Sequence, residues 1–518
     1  MQKEKNKNNF TRRDFIRTSA AAAAGLTFCS PSLELSGNGI EKKSKKPHII
    51  FIMTDQHRAD ALGCAGNSSI LTPNIDSIAY GGVRFKNGFT AVPSCTPARA
   101  GLLTGLSPWN HGMLGYGRVA DKYKYEMPEM LKNAGYYTFG IGKMHFYPQK
   151  ALHGFHGTLV DSSGRVETEG YVSDYRKWFK EKAPELNPDA TGIGWNEHRA
   201  GIYVNPEELH PTYWNGQAAV DFINKYDMEK PLFLKVSFAR PHSPYDPPKR
   251  YLDMYKDGKI PEPVVGDWAK EFADFPKTKN AAFGDFGKEH AINSRRHYYA
   301  NITFIDDQVG KIIDALKRKG MYENSLITFT ADHGDMLGDH FHWRKTYAYR
   351  GSANIPYLMK LPVWMDSVVK RGSQLDYPVE LRDFLPTFLD VCGENVPAGM
   401  DGKSLLKLIR EKNPEWREYI DLEHATCYRK ENYWAALTDG KIKYIFCFYT
   451  GSEQLFNLKN DPDELHDLVS DRKYSNILKL WRERMVNHLL ERGEGFVRNG
   501  KLQVRKETLL YSPNYPKG

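Results

Sequence analysis

No two cysteines of this chain are spaced as Cys-x-x-Cys; the six present stand at positions 29, 64, 95, 392, 427 and 447. Zinc-ribbon and thioredoxin-like sites are thereby removed, and the irregular spacing sets no disulfide framework. Long apolar runs are missing as well. The best stretch, Ala20 to Phe28, is too short to cross a bilayer, so no transmembrane segment is expected. Charge of one sign is also scarce once the N-terminus is set aside. The formal net charge is +9, but residues 1–46 hold ten Lys and Arg against four Asp and Glu, which leaves about +3 for the rest. Without a helix-turn-helix, zinc-finger or RNA-binding signature beside it, so small an excess excludes nucleic acid as a partner. No internal repeat is present. A composition of 41% hydrophobic and 26% charged residues over 518 positions rules out disordered and fibrous classes and gives length for a large domain and a smaller one.

The short apolar stretch fits an export leader. Thr11-Arg12-Arg13-Asp14-Phe15-Ile16 is similar to a twin-arginine signal, and an alanine-rich run and a polar spacer to Lys46 follow it. Residues 1–46 are therefore expected to be leader and spacer, handled by export machinery, with the mature protein exported to the periplasm. Phe28 is too bulky a neighbour for Cys29 to serve as a lipid acceptor.

Beyond the leader, Pro47 to Thr54 is a continuous apolar run that reads as a strand buried on both faces, with Asp55 at its carboxyl end. Ligands of α/β sheets collect at such ends. Similar runs at Gly135–Gly142, Pro231–Phe238 and Ser325–Ala331 alternate with amphipathic segments such as Ile302–Leu316, which predicts an α/β fold with a largely parallel sheet between helices. Residues 160–215 and 246–295 are polar, aromatic-rich insertions that read as loop material shaping a cleft. After about Asn395 the texture changes: Trp434–Phe446 reads as two strands about an Asp-Gly turn, Leu455–Leu458 as another, and a final helix follows. Boundaries of 47–395 for a catalytic domain and 396–518 for a smaller α+β subdomain with an antiparallel sheet are expected.

Chemistry concentrates in a few short motifs. In Cys95-Thr96-Pro97-Ala98-Arg99, Pro97 suits the first turn of a helix, so Cys95 is expected at a helix N-terminus, a natural anion site to which Arg99 adds a fixed charge. Asp55-Gln56 and Asp332-His333 each end a buried strand. Gly142-Lys143-Met144-His145, Arg240-Pro241-His242-Ser243-Pro244, Trp343-Arg344-Lys345-Thr346 and Leu455-Phe456-Asn457-Leu458 with Asp461-Pro462-Asp463-Glu464 complete the set. Taken in chain order, from about residue 47 to beyond 470, they resemble the formylglycine-dependent (type I) sulfatases of the alkaline phosphatase superfamily.

The resemblance implies an alkaline-phosphatase-like fold with a large mixed, mostly parallel sheet, and a sulfatase activity in which Cys95 is oxidised to formylglycine (3-oxoalanine) by a maturation enzyme. It assigns Asp55, Gln56, Asp332, His333 and position 95 to a divalent cation, calcium in most of the family. Gln56 and His333 stand where many members have Asp and Asn, which reduces ligand charge and admits magnesium or manganese. His57 is expected to face away from the ion. Cys95, Arg99, Lys143, His145, His242 and Lys345 are the implied catalytic residues. One hydroxyl of the hydrate attacks sulfur, His242 with Lys345 protonates the departing alcohol, a sulfo-enzyme forms, and His145 takes a proton from the second hydroxyl as sulfate leaves.

Export and the aromatic insertions suit a sulfated carbohydrate as substrate. Trp109, His111, Arg240, His340 and His342 lie beside motif residues and are candidates for contacting the sugar. Two other readings accompany this one. A phosphonate monoester or phosphodiester hydrolase of the same superfamily shares the cysteine motif and the Asp-Gln and Asp-His pairs, although Lys143 and His145 lean toward sulfate. A catalytically dead glycan-binding relative would have no need of all six catalytic positions.

Overall fold

The structure, a computed structural model, describes residues 46–516; of the expected leader and spacer at residues 1–46, all but Lys46 lie outside the described residues. Eight strands form the main sheet: β1 (His48–Asp55), β2 (Val83–Phe85), β3 (Tyr137–Gly142), β4 (Gly157–Val160), β5 (Leu232–Pro241), β6 (Ser325–Ala331), β7 (Tyr357–Lys360) and β8 (Ser373–Leu375), in the order β4-β3-β5-β1-β6-β7-β2-β8. The run β4-β3-β5-β1-β6 is parallel throughout; β7 is antiparallel to both β6 and β2, so the sheet is mixed.

Alternation along β1 explains why it sits at the centre. Ile49, Phe51 and Met53 pack on one side and Ile50 and Ile52 on the other, all with no exposed surface. Burying each such side chain contributes roughly 1.5–3 kcal/mol, which only a strand covered on both faces can collect along its whole length. Helices α1 (Pro73–Tyr80), α3 (Pro211–Lys225) and α4 (Lys288–Arg318) cover the Ile50 face, and α2 (Cys95–Thr104) and α5 (Phe384–Val391) cover the Phe51 face.

Two sequence expectations shift in detail. The stretch 246–295 is not loop to its end, because α4 begins at Lys288; its buried Ala291, Ser294 and Arg295 continue the inward-facing stripe of the amphipathic segment by about three further turns. In the C-terminal region, β9 (Ile420–His424), β10 (Trp434–Thr438), β11 (Ile442–Cys447) and β12 (Glu453–Asn457) form the antiparallel sheet, with Asp439-Gly440 at the β10–β11 turn and Gly440 at φ 82°. Three strands were read there and four are present. The fourth, β9, pairs with β10 and carries His424, and helix α6 (Ser475–Leu489) packs on the sheet through Trp481 and Met485. Among the described residues no helix is long and apolar enough to cross a membrane.

Candidate functional site

The neighbouring carboxyl ends of β1, β5 and β6 and the N-terminus of α2 meet at one point, and the side chains at these ends form a buried polar cluster. Ser94 caps α2 with an extended backbone (φ −157°), and Cys95 is the first helical residue, fully buried. Its sulfur lies 3.2 Å from His333 Nε2, 3.2 Å from Lys345 Nζ, 3.7 Å from Asp55 Oδ1 and 4.0 Å from Lys143 Nζ. Burial and the Asp55 carboxylate push the Cys95 thiol up, but Lys143, Lys345 and His333 outweigh them and bring it down to about 6. The pocket thus stabilises an anion at position 95.

Arg99, one turn along α2, ties the strand ends together. Its Nε donates to Asp332 Oδ2 at 2.8 Å, Nη1 to the Lys143 carbonyl at 2.6 Å and Ser237 Oγ at 3.1 Å, and Nη2 to Asp55 Oδ2 at 3.4 Å. Lys143 forms an ion pair with the same Asp55 oxygen. Burial alone would raise the Asp55 pKa; Lys143, followed by His242, Lys345 and His333, holds it well below the usual carboxylate range.

The donor set fits a cation. Single ligand atoms of Asp55, Cys95, Asp332 and His333 all lie within 4.8 Å of one another. His333 Nδ1 donates to the Gly334 carbonyl at 2.9 Å, which leaves the Nε2 lone pair for the cluster. Burial works against charging His333, but the Asp332 carboxylate moves its pKa up. Gln56 supplies an independent sign. Its Nε2 donates to Asp335 Oδ2 at 2.6 Å, whereas its buried Oε1 has no partner. A buried acceptor left open is costly unless something absent from the chain satisfies it. Three oxygens and one nitrogen suit a hard divalent ion. His57 turns away: its ring bonds to Thr54 Oγ1 and the Ala61 carbonyl.

Histidines on the other side are set by their partners. His242 Nδ1 donates to the Ser243 carbonyl at 2.9 Å, so Nε2 accepts from Lys345 Nζ at 2.8 Å. Burial, then the Lys345 charge, depresses the His242 pKa well below its ordinary value, and the ring is neutral. His145 Nε2 accepts from Arg165 Nη1 at 2.7 Å, which assigns its proton to Nδ1, a buried atom without a protein partner. Burial, then Arg165, keeps His145 neutral too.

Strain concentrates here. Gln56 (φ 66°), His145 (φ 64°), Arg344 (φ 68°) and Thr346 (φ 85°) are all left-handed, and a β-branched residue in that region is a true outlier. Thr346 is held by three partners: its N–H donates to the Pro93 carbonyl at 2.9 Å, its carbonyl accepts from Trp434 Nε1 at 3.0 Å, and its Oγ1 accepts from Asn432 Nδ2 at 2.8 Å. Strand β10 and its approach thereby fix the loop bearing Lys345. His424 of β9 similarly accepts from Ser94 Oγ at 3.0 Å, beside Cys95.

The structure brings together Cys95, Arg99, Lys143, His242 and Lys345 with Asp55, Gln56, Asp332 and His333, and places His145 beside Arg165. Each candidate sugar-contacting residue has contacts of its own within the protein. Trp109 meets Phe496 edge-on and lies under Arg492. His111 is buried with Nδ1 accepting from Met113 N, and burial followed by the Arg382 charge lowers it to about 3. Arg240 forms an ion pair with Asp246 at 2.8 Å. His340 accepts from Gly266 N, and His342 donates to the His340 carbonyl within an aromatic cluster of Phe272, Phe283 and Tyr347. The motifs did not single out Asp335, Ser237, Arg165 or Thr346. Asp335 stands three residues after Asp332, and that spacing is the one signal the sequence holds for it.

Comparison with known proteins agrees with this geometry. The family model "Sulfatase" matches residues 47–394, and "N-sulphoglucosamine sulphohydrolase, C-terminal" matches residues 338–491. An arylsulfatase of Clostridium perfringens is 39% identical over 472 residues, covering 88% of this chain and 97% of that protein. An N-acetylglucosamine-6-O-sulfatase of Bacteroides thetaiotaomicron is 27% identical over 546 residues, covering 94% and 93%. Among solved structures, the phosphonate monoester hydrolase of Agrobacterium radiobacter superposes with a TM-score of 0.72 at 24% identity, covering 86% of this chain and 96% of the other.

Proposed function

The chain belongs to the sulfatase family, within the alkaline phosphatase superfamily, and on that basis we propose that it desulfates a carbohydrate through a formylglycine hydrate made from Cys95. It is a sulfuric ester hydrolase; the carbohydrate substrate, the modification and the cation are the proposed part. The convergence of Lys345, His333, Lys143 and Asp55 on the Cys95 sulfur carries the proposal. Surroundings that lower a buried thiol to about 6 favour negative charge where a hydrate oxygen must develop it.

Asp55, Gln56, Asp332 and His333 would hold a divalent cation, calcium, magnesium or manganese, whose charge polarises the sulfate and favours the ionised hydrate when bound. The remaining tasks fall to side chains. Arg99 and Lys143 neutralise the strand-end carboxylates and orient the sulfate. With His242 Nε2 accepting, the transferable proton sits on Lys345, and this pair supplies it to the departing alcohol. The sulfo group passes to the position-95 oxygen. His145, neutral and buried, takes the proton of the second hydroxyl as sulfate departs, exchanging Arg165 for that hydroxyl at Nε2.

The twin-arginine-like segment supports export to the periplasm. N-terminal sequencing of exported protein should start beyond the leader; retention of Met1 would refute export by this route. For the chemistry, mass spectrometry of the peptide containing Cys95 should show the thiol converted to an aldehyde, and Cys95→Ser should abolish turnover or accumulate sulfated enzyme. Full activity with an unmodified thiol would overturn the mechanism.

One observation favours a second reading, hydrolysis of phosphonate monoesters or phosphodiesters: the Asp-Gln and Asp-His ligand pairs carry less negative charge than the usual sulfatase set. Parallel assays on an aryl sulfate and an aryl phosphonate decide, and kcat/KM is expected to favour the sulfate.

A further inference from the structure

Arg165 lies in the 160–215 insertion, outside every motif that identified the site, yet its guanidinium reaches the catalytic centre. Nη1 donates to His145 Nε2 at 2.7 Å and to Tyr116 Oη at 3.2 Å. The arginine lines a narrow recess with Lys143, His145, Phe146, Gln149 and Ser162. Behind burial and the nearer charges, Arg165 is among the charges that depress Lys143, His145 and His242, so its field reaches the reacting groups.

Three observations separate it from an ordinary structural arginine. The first is the lack of a direct ion pair. Among the described residues no carboxylate comes within ion-pair distance of Arg165, and Asp55 and Glu167, the latter 3.6 Å from His145 Nε2, act on it only at longer range, whereas Arg99, Arg240 and Arg176 each have a paired carboxylate. The second is its free edge. Only Nη1 is engaged, and Nε and Nη2 form no hydrogen bond within the described chain while not being shut away from solvent. Those two atoms present the parallel N–H pair that grips a carboxylate or sulfate with both oxygens. The third is a built support. Gln149 Nε2 donates to the Arg165 carbonyl at 3.0 Å while Gln149 Oε1 accepts from Glu167 N and Thr168 N, and Arg165 N closes a turn on the Ser162 carbonyl. A loop stapled by one buried glutamine presents the guanidinium in a fixed place.

An unpaired, rigidly mounted guanidinium against a site that already provides Arg99, two lysines and the cation ligands for one sulfate has charge to spare. We propose that Arg165 binds a second anionic group on the leaving alcohol, a sulfate or a carboxylate beside the scissile ester, and so selects multiply charged glycans. Its contact with Tyr116 and the Gln149-stapled loop position the free edge toward that group. The inference rests on the sulfatase reading above.

Three probes test it with metal-loaded, matured enzyme: a monosulfated monosaccharide, the same sugar with a second sulfate, and a sulfated uronate, each followed by sulfate release. Wild-type kcat/KM should favour one of the two dianionic sugars by about 30-fold or more, an effect residing in KM. Arg165→Gln should reduce that ratio to below about threefold, and Arg165→Lys, which keeps the charge without the fork, should fall between. Which dianion wins identifies sulfate or carboxylate as the recognised group. Absence of a dianion preference in wild type overturns the proposal, as does an equal loss on monoanionic and dianionic sugars in Arg165→Gln with Arg165→Lys no better. Failure of the wild-type enzyme on every sulfate ester would instead overturn the sulfatase reading itself.

Discussion

Gln56 divides its amide between two neighbours: the nitrogen is anchored by Asp335, and the oxygen is left for the cation site. Asp335 also accepts from Tyr245 Oη at 2.5 Å and, through Oδ1, from Leu337 N and Arg344 N, so it is fully committed and cannot rotate away. Asp335→Asn offers an amide that competes for the same position and turns the Gln56 nitrogen toward the ion. Divalent-cation affinity, titrated calorimetrically on apo-enzyme with calcium, magnesium and manganese, should fall about 10- to 100-fold for the ion bound best. Unchanged affinity for all three would remove Gln56 from the ligand set. A second residue, Lys235 of β5, is buried with no hydrogen bond or ion pair from its ammonium among the described residues, and burial, then the Arg99 charge, lowers it to about 7. The unfolded chain holds that proton up to its ordinary value near 10.4, so between pH 7 and pH 10 unfolding takes up a proton and this lysine's contribution to stability grows with pH. Below pH 7 both states are charged and the full penalty of burying the charge remains. Lys235→Met should therefore exceed wild type in stability by a few kcal/mol at pH 6–7, and the gap should close by about pH 10. Denaturant titrations at these pH values measure it, and a pH-independent gap would show that Lys235 is charged when folded.

At the scale of elements, α2 is the part that could be read directly. Pro97 in its first turn and the apolar run to Leu103 required a helix starting at Cys95, and the strand ends followed from runs such as His48–Asp55. Arg99 was legible as a charge, though not as a tie: its four acceptors come from Asp55, Asp332, Lys143 and Ser237, residues 44 to 233 positions away. The same limit hid Asp335 and Arg165, whose meaning depends on which side chain they meet. For Trp109, His111 and His342 likewise, adjacency in sequence to motif residues says nothing about the direction of a side chain leaving a helix or turn. Arg99→Lys tests the tie. One ammonium cannot serve four acceptors in a plane, so kcat should drop by about 10²–10³-fold, and loss of buried partners should cost about 3–5 kcal/mol in unfolding free energy. Activity within tenfold of wild type would mean that the strand ends hold their own geometry.

At the scale of the whole molecule, the C-terminal sheet reaches the loop of Lys345 without contributing one of the six proposed catalytic groups. Trp434 and Asn432 hold Thr346 in a conformation that costs roughly 1–3 kcal/mol, and Lys345, the preceding residue, is thereby kept 3.2 Å from the Cys95 sulfur and 2.8 Å from His242. Removing a strut should let the strained residue relax and move the ammonium away from the reacting oxygen. Trp434→Phe keeps most of the ring buried against β11 while deleting the indole N–H that reaches the Thr346 carbonyl. Proton delivery to the leaving alcohol depends on the pKa of that alcohol, so the effect should be selective: kcat falls about tenfold on a sugar sulfate, whose alkoxide is a poor leaving group, and about threefold or less on a nitrophenyl sulfate, whose phenolate departs without help. Cation affinity should not change, because Asp55, Gln56, Asp332 and His333 are fixed from β1 and β6. Equal losses on both substrates would assign the coupling to sulfate positioning, and no loss on either would mean that Lys345 holds its place without the second sheet.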